Sequence, residues 1–445
     1  MSYPPLVNRG LASGTSSPHS WTERLVWLGK GVQAVSDQAL IAGSNFVISV
    51  LLARWLAPSD YGAYALAFAG FFLVSLIYQT LILEPMSVFG SSDYRSSQAA
   101  YLRVLLGMHA WIAAITLVVM GAASFLARWL SDSESLVGAL TGATIAAPCI
   151  LLFWLARRIH YIQFGPFTSL LGACLYCAIV LGGLWVLTER QSISPLATFL
   201  LMSFAALAAS GLLFTRAELF TRNGDQCPAT KQIWAKHWQF GKWILLSSIA
   251  WWIPGNFYYL LLGSASQISD AAELKSLLNL NLPVGHTFTA LFVLLLPYAA
   301  SMHSHSETDG LTVLARKIGV LFAGGAGVYW LLLILYREQV VAYLYQGRYQ
   351  ATTNLIPIVA AASLMEAAFL GPGIALRSAR ATALIFRAHS ASSAVAIVVG
   401  TPATLLYGLT GAITSMFLAS LTALLYASFL LRRTFPHRGK AIGQG

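Results

Sequence analysis

Twelve apolar stretches, each long enough to cross a bilayer, alternate with short polar connections between residues 36 and 431. An α-helix rises 1.5 Å per residue, so about 20 apolar residues span a hydrocarbon core about 30 Å thick. Inside lipid, helices are stable because they satisfy their own backbone hydrogen bonds. The chain is 57% hydrophobic and 10% charged, which excludes an ordinary soluble domain. The pattern predicts an all-α polytopic membrane protein.

The longest polar connection, 216–241, divides the predicted spans into two groups of six. The spans are 36–56, 61–90, 99–126, 136–156, 168–188 and 195–215, then 242–264, 277–302, 318–336, 354–372, 383–401 and 408–431. Because six is even, both groups enter from the same side, as parallel repeats do in transporters with a midplane site. We therefore expect two six-helix lobes around a central cavity. The last two spans nearly merge at 402–407, and their fusion would leave eleven.

The expected organisation is a flexible tail over 1–30, a first lobe over 31–215, a cytoplasmic linker over 216–241, a second lobe over 242–431 and a basic tail over 432–445. Loops rich in Lys and Arg stay in the cytoplasm. The segments outside the spans alternate in charge, and 21 of the 27 Lys and Arg lie on one side. Both termini are therefore predicted to be cytoplasmic. The remaining six are Arg54, Arg128, Arg190, Lys275, Arg337 and Arg348.

Several classes of function lack support in the sequence. The net charge of +11 is spread over many loops that face anionic lipid headgroups, which argues against a nucleic-acid partner. No metal-ligand cluster, cofactor motif or nucleotide-binding loop is present, and the CxxC spacing of Cys174 and Cys177 lies within a span. The first 25 residues lack the apolar core of a signal peptide, so the first span is expected to direct insertion.

Three acidic residues fall inside predicted spans, where ionisable groups are costly and usually functional. Asp37 lies in the first turn of its helix, so it is either a functional acid or a residue that favours the helix dipole. Glu84 precedes Pro85, which has no N–H and so leaves the carbonyl one turn earlier without its helical hydrogen bond. This pattern predicts a kink at Glu84 and an ion-coupling or gating role for its carboxylate. Its alternative is a neutralised or Arg-paired packing group. Glu366 is either a proton carrier or a partner of Arg377.

Four arginines and two further residues are candidates for substrate binding. Arg157 and Arg158 end the fourth span, where they either reach the interface or bind an anion. Arg54 and Arg348 lie on the side that is poor in basic residues. Because Arg binds phosphate through two parallel hydrogen bonds, these positions favour an anionic ligand. Trp251 and Asn256 lie mid-span, suited either to sugars or to packing. The list of candidates contains no catalytic residue and no metal ligand.

Several motifs resemble those of bacterial polysaccharide flippases, the O-antigen and exopolysaccharide transporters of the multidrug/oligosaccharidyl-lipid/polysaccharide (MOP) superfamily. The motifs are Leu51-Leu52-Ala53-Arg54 with Asp60-Tyr61-Gly62, Glu84-Pro85-Met86 with Phe89-Gly90, Arg157-Arg158-Ile159-His160-Tyr161-Ile162, and Tyr343-Leu344-Tyr345-Gln346-Gly347. The resemblance covers most of the chain, and the first motif is the most specific.

The resemblance implies a two-lobed bundle in the bacterial inner membrane. It would flip undecaprenyl-pyrophosphate-linked oligosaccharides to the periplasmic leaflet by alternating access, without acting as an enzyme. A cationic cavity would hold the pyrophosphate, a proton or sodium ion would couple transport, and membrane lipids and the polysaccharide polymerase machinery would be partners.

Two alternatives stay open at this stage. A multidrug cation exporter of the same superfamily would need cation-binding acids in the first lobe and a less cationic cavity. A membrane polysaccharide polymerase or ligase resembles this chain in hydropathy. However, such enzymes typically carry one large periplasmic loop, and none here exceeds about 17 residues, too few for a domain. The count of twelve disfavours a 14-span lipid II flippase.

Overall fold

The structure is a computed structural model that describes residues 21–90, 92–95, 97–163, 165–217, 229–265, 267–304, 308–379 and 381–434. These residues are helical and contain no β-strand. The α-helices are α1 Trp21–Trp55, α2 Pro58–Tyr78, α3 Glu84–Phe89, α4 Gln98–Leu130, α5 Glu134–Gln163, α6 Pro166–Glu189, α7 Pro195–Phe214, α8 Thr230–Ala265, α9 Ile268–Asn279, α10 Leu282–Ser304, α11 Thr308–Leu335, α12 Arg337–Tyr345, α13 Ile356–Ser378, α14 Thr382–Val398 and α15 Gly400–Thr434. A π-helical segment, Gln79–Leu83, joins α2 to α3, and a 3₁₀ helix, Gln350–Leu355, precedes α13.

Ten helical segments of the described chain are long and apolar enough to cross a membrane. The other two predicted spans correspond to α10, with 23 residues, and to the shorter apolar helix α14, with 17 residues. At 1.5 Å per residue, α10 is about 35 Å long, which suits a membrane crossing. The structure confirms the all-α polytopic class, while the orientation of the termini stays a prediction.

The last two predicted spans are separate helices. Helix α14 ends at Val398, and Gly408 within α15 has φ +55° and ψ −134°, outside the helical region. This conformation requires glycine because a side chain at positive φ is strained. The chain turns back so sharply that a Cβ on Gly411 would collide with the carbonyl of Ala403. The break therefore lies at Gly408 itself.

Helical structure extends beyond the predicted spans in several places. Helix α1 begins at Trp21, within the predicted tail, and α8 begins at Thr230, within the predicted linker. The segments 265–276 and 337–353, predicted as external connections, contain α9 and α12. The rest of the predicted tails, 1–20 and 435–445, lies outside the described residues, as do 218–228 of the linker and His305.

The helices pack as two groups. In the N-group, α1–α7, helix α5 contacts α2, α4, α6 and α7. In the C-group, α8–α15, helix α13 contacts α10, α11 and α15, and α14 packs on α8 and α15. The groups meet along a seam, where α2 lies on α8 and α9, and α1 contacts α9 and α12. The seam is close-packed, since a Cβ on Gly62 would collide with the carbonyl of Ile268.

Candidate functional site

One acidic and two basic side chains lie in the same region, at the end of the π-helical segment. Glu84 begins α3 directly after the π-helical segment and is half-buried. Its carboxylate lies within electrostatic range of Arg377 on α13 and Arg158 on α5. None of the three forms a hydrogen bond or an ion pair within 4.0 Å in the described part of the chain. The N-group and the C-group thus each supply a cation without an oxygen partner among the described residues, although the Arg377 guanidinium lies over the Phe292 ring, 4.7 Å from its centre. We call these three residues the central site.

Lys275 on α9 is a half-buried charged side chain without a hydrogen-bonding or ionic partner among the described residues. Its ammonium nitrogen lies 4.9 Å from the centre of the Phe68 ring on α2. Sequence reasoning assigned this lysine to an external connection and missed it as a candidate. One feature of the sequence could have identified it. Like Arg54 and Arg348, Lys275 is one of the six basic residues on the predicted periplasmic side, which has few of them.

Asp37 and Arg157, predicted in separate roles, are bound to each other inside the N-group. Arg157 Nη2 lies 2.6 Å from Asp37 Oδ2, and the side chains are 12% and 0% exposed, respectively. Tyr161 Oη donates to the same carboxylate oxygen at 2.6 Å, and Ser169 Oγ lies 3.5 Å from it. Asp37 Oδ1 and Arg157 Nε have no partner among the described residues. This pair is internally neutralised, unlike the central site.

Arg54 and Arg348, predicted as anion contacts, cap helix ends across the seam. Arg54 donates from Nε to the carbonyl of Leu344 and from Nη2 to that of Tyr343, in the last turn of α12. Arg348 donates in return to the carbonyl of Leu56, which follows the end of α1. Terminal carbonyls lack donors within their own helix, and cations stabilise the negative end of the helix dipole. The two arginines therefore join the ends of α1 and α12 across the seam, on the predicted periplasmic side. We call them the arginine clasp.

The loop that carries Arg348 has an unusual backbone. Gln346, Gly347 and Tyr349 have φ values of +54°, +81° and +63°. Positive φ costs energy for a residue other than glycine, and strain of this kind clusters at switch regions. Tyr349 packs on Tyr345, with ring centres 5.5 Å apart, and on Tyr61 of α2 at 6.4 Å. Its buried hydroxyl has no partner in the described chain. Tyrosines thus pack beside the clasp across the seam.

The π-helical segment is held by the C-group. Pro85 has no N–H to offer the carbonyl of Leu81, and His237 Nδ1 on α8 lies 2.8 Å from that carbonyl. Nδ1 must therefore donate, and Nε2 of a neutral ring accepts from the Tyr101 hydroxyl at 2.8 Å. The freed carbonyl predicted from the sequence is thus satisfied across the seam.

A second contact on the same side of the seam is ionic. Lys236 on α8 donates to Asp93 in the connection that follows α3. This hydrogen bond lowers the pKa of Asp93. Both side chains are substantially exposed, so this pair contributes little to stability.

Glu366 lies in a polar pocket of the C-group, apart from Arg377. Its carboxylate lies close to the side chains of Asn281, in the connection between α9 and α10, and of Ser420 on α15. Ser363 Oγ donates to Asn281 Oδ1 at 2.6 Å. Glu366 remains accessible to solvent, and no cation lies within 4.0 Å of it in the described residues. The predicted pairing with Arg377 is therefore replaced by neutral donors.

The two candidate sugar contacts, Trp251 and Asn256, make separate contacts with different residues. Trp251 is half-exposed and packs edge-to-face on Phe72 of α2, with ring centres 6.2 Å apart. Asn256 Nδ2 donates to the carbonyl of Trp252 in its own helix at 3.2 Å. Nothing in the described contacts joins them to the charged residues, and their role in sugar binding stays a prediction.

The sequence matches no protein-family model and no curated protein. Solved structures match its fold over nearly the whole chain. An inward-facing multidrug resistance MATE family transporter of the MOP superfamily aligns with a TM-score of 0.75 and 11% identity, over 89% of this chain and 94% of that one. Lipid II flippase MurJ, in an inward closed conformation, aligns with a TM-score of 0.68 and 11% identity, over 91% and 87%. A MOP superfamily transporter from Pyrococcus furiosus, described as having a binding pocket of reversed polarity, aligns at 0.63 with 13% identity, over 91% and 94%. The chain therefore has the fold of MOP superfamily transporters.

Proposed function

We propose that this chain is a flippase in the bacterial inner membrane for undecaprenyl-pyrophosphate-linked oligosaccharide repeat units, used to build O-antigen or exopolysaccharide. It moves the repeat unit from the cytoplasmic to the periplasmic leaflet by alternating access. The observation that carries the proposal is the central site, where Arg158 and Arg377 come from opposite groups and have no hydrogen bond or ion pair within the described residues.

The charge of this region favours an anionic substrate. At the central site, Arg158 and Arg377 contribute two positive charges, against the single negative charge of Glu84. An arginine that has neither a hydrogen bond nor an ion pair in the described chain favours a ligand that supplies the anion. A lipid pyrophosphate does so with oxygens that suit the guanidinium fork. The sugars and the lipid tail need no such charge.

The arrangement also suits movement of one group against the other. Glu84 is near a cation of each group, so the electrostatic balance of the site changes when the groups separate. The clasp and the tyrosines beside it close the predicted periplasmic side in the described conformation. Opening of the predicted periplasmic side requires the three hydrogen bonds from the clasp arginines to backbone carbonyls to break.

A cation-coupled multidrug exporter is the second candidate, favoured by one observation. Glu366 is an accessible carboxylate without a cationic partner, which suits a proton or a sodium ion. Coupling to such an ion is compatible with either substrate. The first-lobe acid Asp37, in contrast, is already neutralised by Arg157. The proposal therefore assigns ion coupling to Glu366 and the substrate to the central site.

Deletion of the gene distinguishes the candidates. A flippase defect causes loss of surface polymer, with completed lipid-linked repeat units retained on the cytoplasmic leaflet. Complementation with Arg158→Met or Arg377→Met is expected to restore less than a tenth of the polymer. Arg190→Met removes an exposed arginine elsewhere and serves as the control. Unchanged polysaccharide with increased drug sensitivity supports the exporter, and repeat units exposed on the periplasmic leaflet indicate a polymerase.

A further inference from the structure

Lys275 is positioned by contacts from both groups, although its own ammonium has none with an acceptor among the described residues. Tyr345 Oη donates to the carbonyl of Ser276 at 2.8 Å. Asn279, at the end of α9, accepts from Ser49 Oγ of α1 and donates to Tyr61 Oη of α2, both at 2.8 Å. The helix therefore cannot turn freely to find Lys275 a partner.

The acidic residues of α9 do not neutralise Lys275. Glu273 is two positions away, and residues two apart do not face each other on a helix. Glu273 interacts electrostatically with Asp270 and with Tyr349 of the strained loop. The lysine instead faces the Phe68 ring of α2. A half-buried cation that meets only an aromatic face is poorly compensated, since such contacts are weaker than an ion pair with hydrogen bonds.

A row of aromatic rings connects Lys275 with the central site. The Phe68 ring centre lies 5.7 Å from that of Phe71, which lies 6.1 Å from Trp154 on α5. Trp154 is four residues before Arg158, so the two share one face of α5. The row thus starts at a free lysine next to the clasp side of the seam and ends at a free arginine of the central site.

We propose that Lys275 forms a second anion-binding station, which takes the phosphate oxygens of the lipid pyrophosphate after they leave Arg158 and Arg377. This inference rests on the proposed function and extends it, because two separated cationic stations give the anion a path instead of a single trap. A single site that bound the pyrophosphate tightly would slow its release. With two stations, the pyrophosphate is bound at each step of its path, but neither station holds it so tightly that its release is slow.

The test uses the purified full chain in proteoliposomes that contain undecaprenyl pyrophosphate. A membrane-impermeant phosphatase added outside releases phosphate only from lipid that has reached the outer leaflet. Lys275→Met is expected to lower the initial rate at least tenfold, and Lys275→Arg to stay within threefold of wild type. Lys275→His is expected to transport at pH 5.5 and to fall to the Lys275→Met rate at pH 8, because histidine loses its charge near pH 6.5. Wild type measured at both values is the control.

The outcomes separate the station from a structural role and from the proposed function. The His variant is compared with itself, so a pH-dependent rate reports charge at position 275 even where Lys275→Met folds poorly. A flat pH profile for Lys275→His, or a wild-type rate for Lys275→Met, overturns the second station. If Arg158→Met and Arg377→Met abolish transport while Lys275→Met does not, only this inference fails. If all three variants transport normally, the proposed function fails with it.

Discussion

We expect the arginine clasp to control how often the predicted periplasmic side opens, and the effect of removing it can be calculated. Arg54 makes two hydrogen bonds to carbonyls of α12, and Arg348 makes one to the carbonyl after α1. Hydrogen bonds from charged donors contribute about 1.5–3 kcal/mol when buried. Arg54 is half-buried and Arg348 is exposed, so about 1 kcal/mol for each bond is a reasonable value.

These values predict the shift in the opening equilibrium. Arg54→Ala should favour opening by about 2 kcal/mol, or about 30-fold, and Arg348→Ala by about 1 kcal/mol, or about fivefold. The bonds exist only while the two helix ends meet, so their loss destabilises the closed state alone. The double variant should open about 150-fold more often if both arginines act on one equilibrium.

The assay measures labelling of a buried cysteine placed in the seam. Ser276→Cys, in a background with all four native cysteines replaced by serine, puts a thiol at a position that is 1% exposed in the closed state. An impermeant maleimide applied from the predicted periplasmic side labels it only when the seam opens. Arg190→Ala, which removes an exposed arginine from the same predicted side, controls for surface charge. Equal labelling rates for Arg54→Ala and Arg190→Ala would refute the clasp.

Three further predictions concern the other candidate residues. Asp37→Asn should destabilise the protein by about 3–5 kcal/mol, because it leaves Arg157 without its counter-ion, and Asp37→Asn with Arg157→Met should recover part of that loss in thermal unfolding. Gly241→Ala should destabilise by about 1–3 kcal/mol, since its Cβ meets the π-helical backbone, whereas Gly255→Ala in the same helix has open space and should be neutral or stabilising. Glu366→Gln should unfold at the wild-type temperature but lose the response of transport to an imposed proton or sodium gradient.

The helices were predictable wherever apolar residues run without interruption, and α9 shows where that signal ends. Asp270, Glu273 and Lys275 lower the hydropathy of this short segment, so it was assigned to an external connection. Yet Ala271, Leu274 and other apolar residues of α9 are buried in the structure. Hydropathy averages all faces of a helix, whereas burial depends on one face. Hydropathy averaged over the length of a membrane span therefore does not detect a short helix that has charged residues on its other faces.

The candidate site was predictable in residue types but not in pairings. Arg157 and Arg158 are adjacent in sequence and equivalent by every sequence criterion, and successive residues on a helix point about 100° apart. One therefore meets Asp37 inside the N-group, and the other lies near Glu84 at the central site. The orientation rule likewise singles out Arg54 and Arg348, and the groups that these two side chains bind are helix carbonyls of the chain itself.

The arginines differ in whether a protein oxygen already binds them, and this difference decides which of them we propose as substrate contacts. Arg54, Arg157 and Arg348 already have oxygen partners from the protein, so a ligand could reach them only by breaking those bonds. Arg158 and Arg377 have no such partner in the described chain, so an anion could bind them without breaking a bond to a protein oxygen. Because an opposite charge gains most where it replaces no existing bond, the free cations are the better binding residues. We therefore expect arginines to have three different roles here, in the clasp, in the buried pair with Asp37 and in the central site.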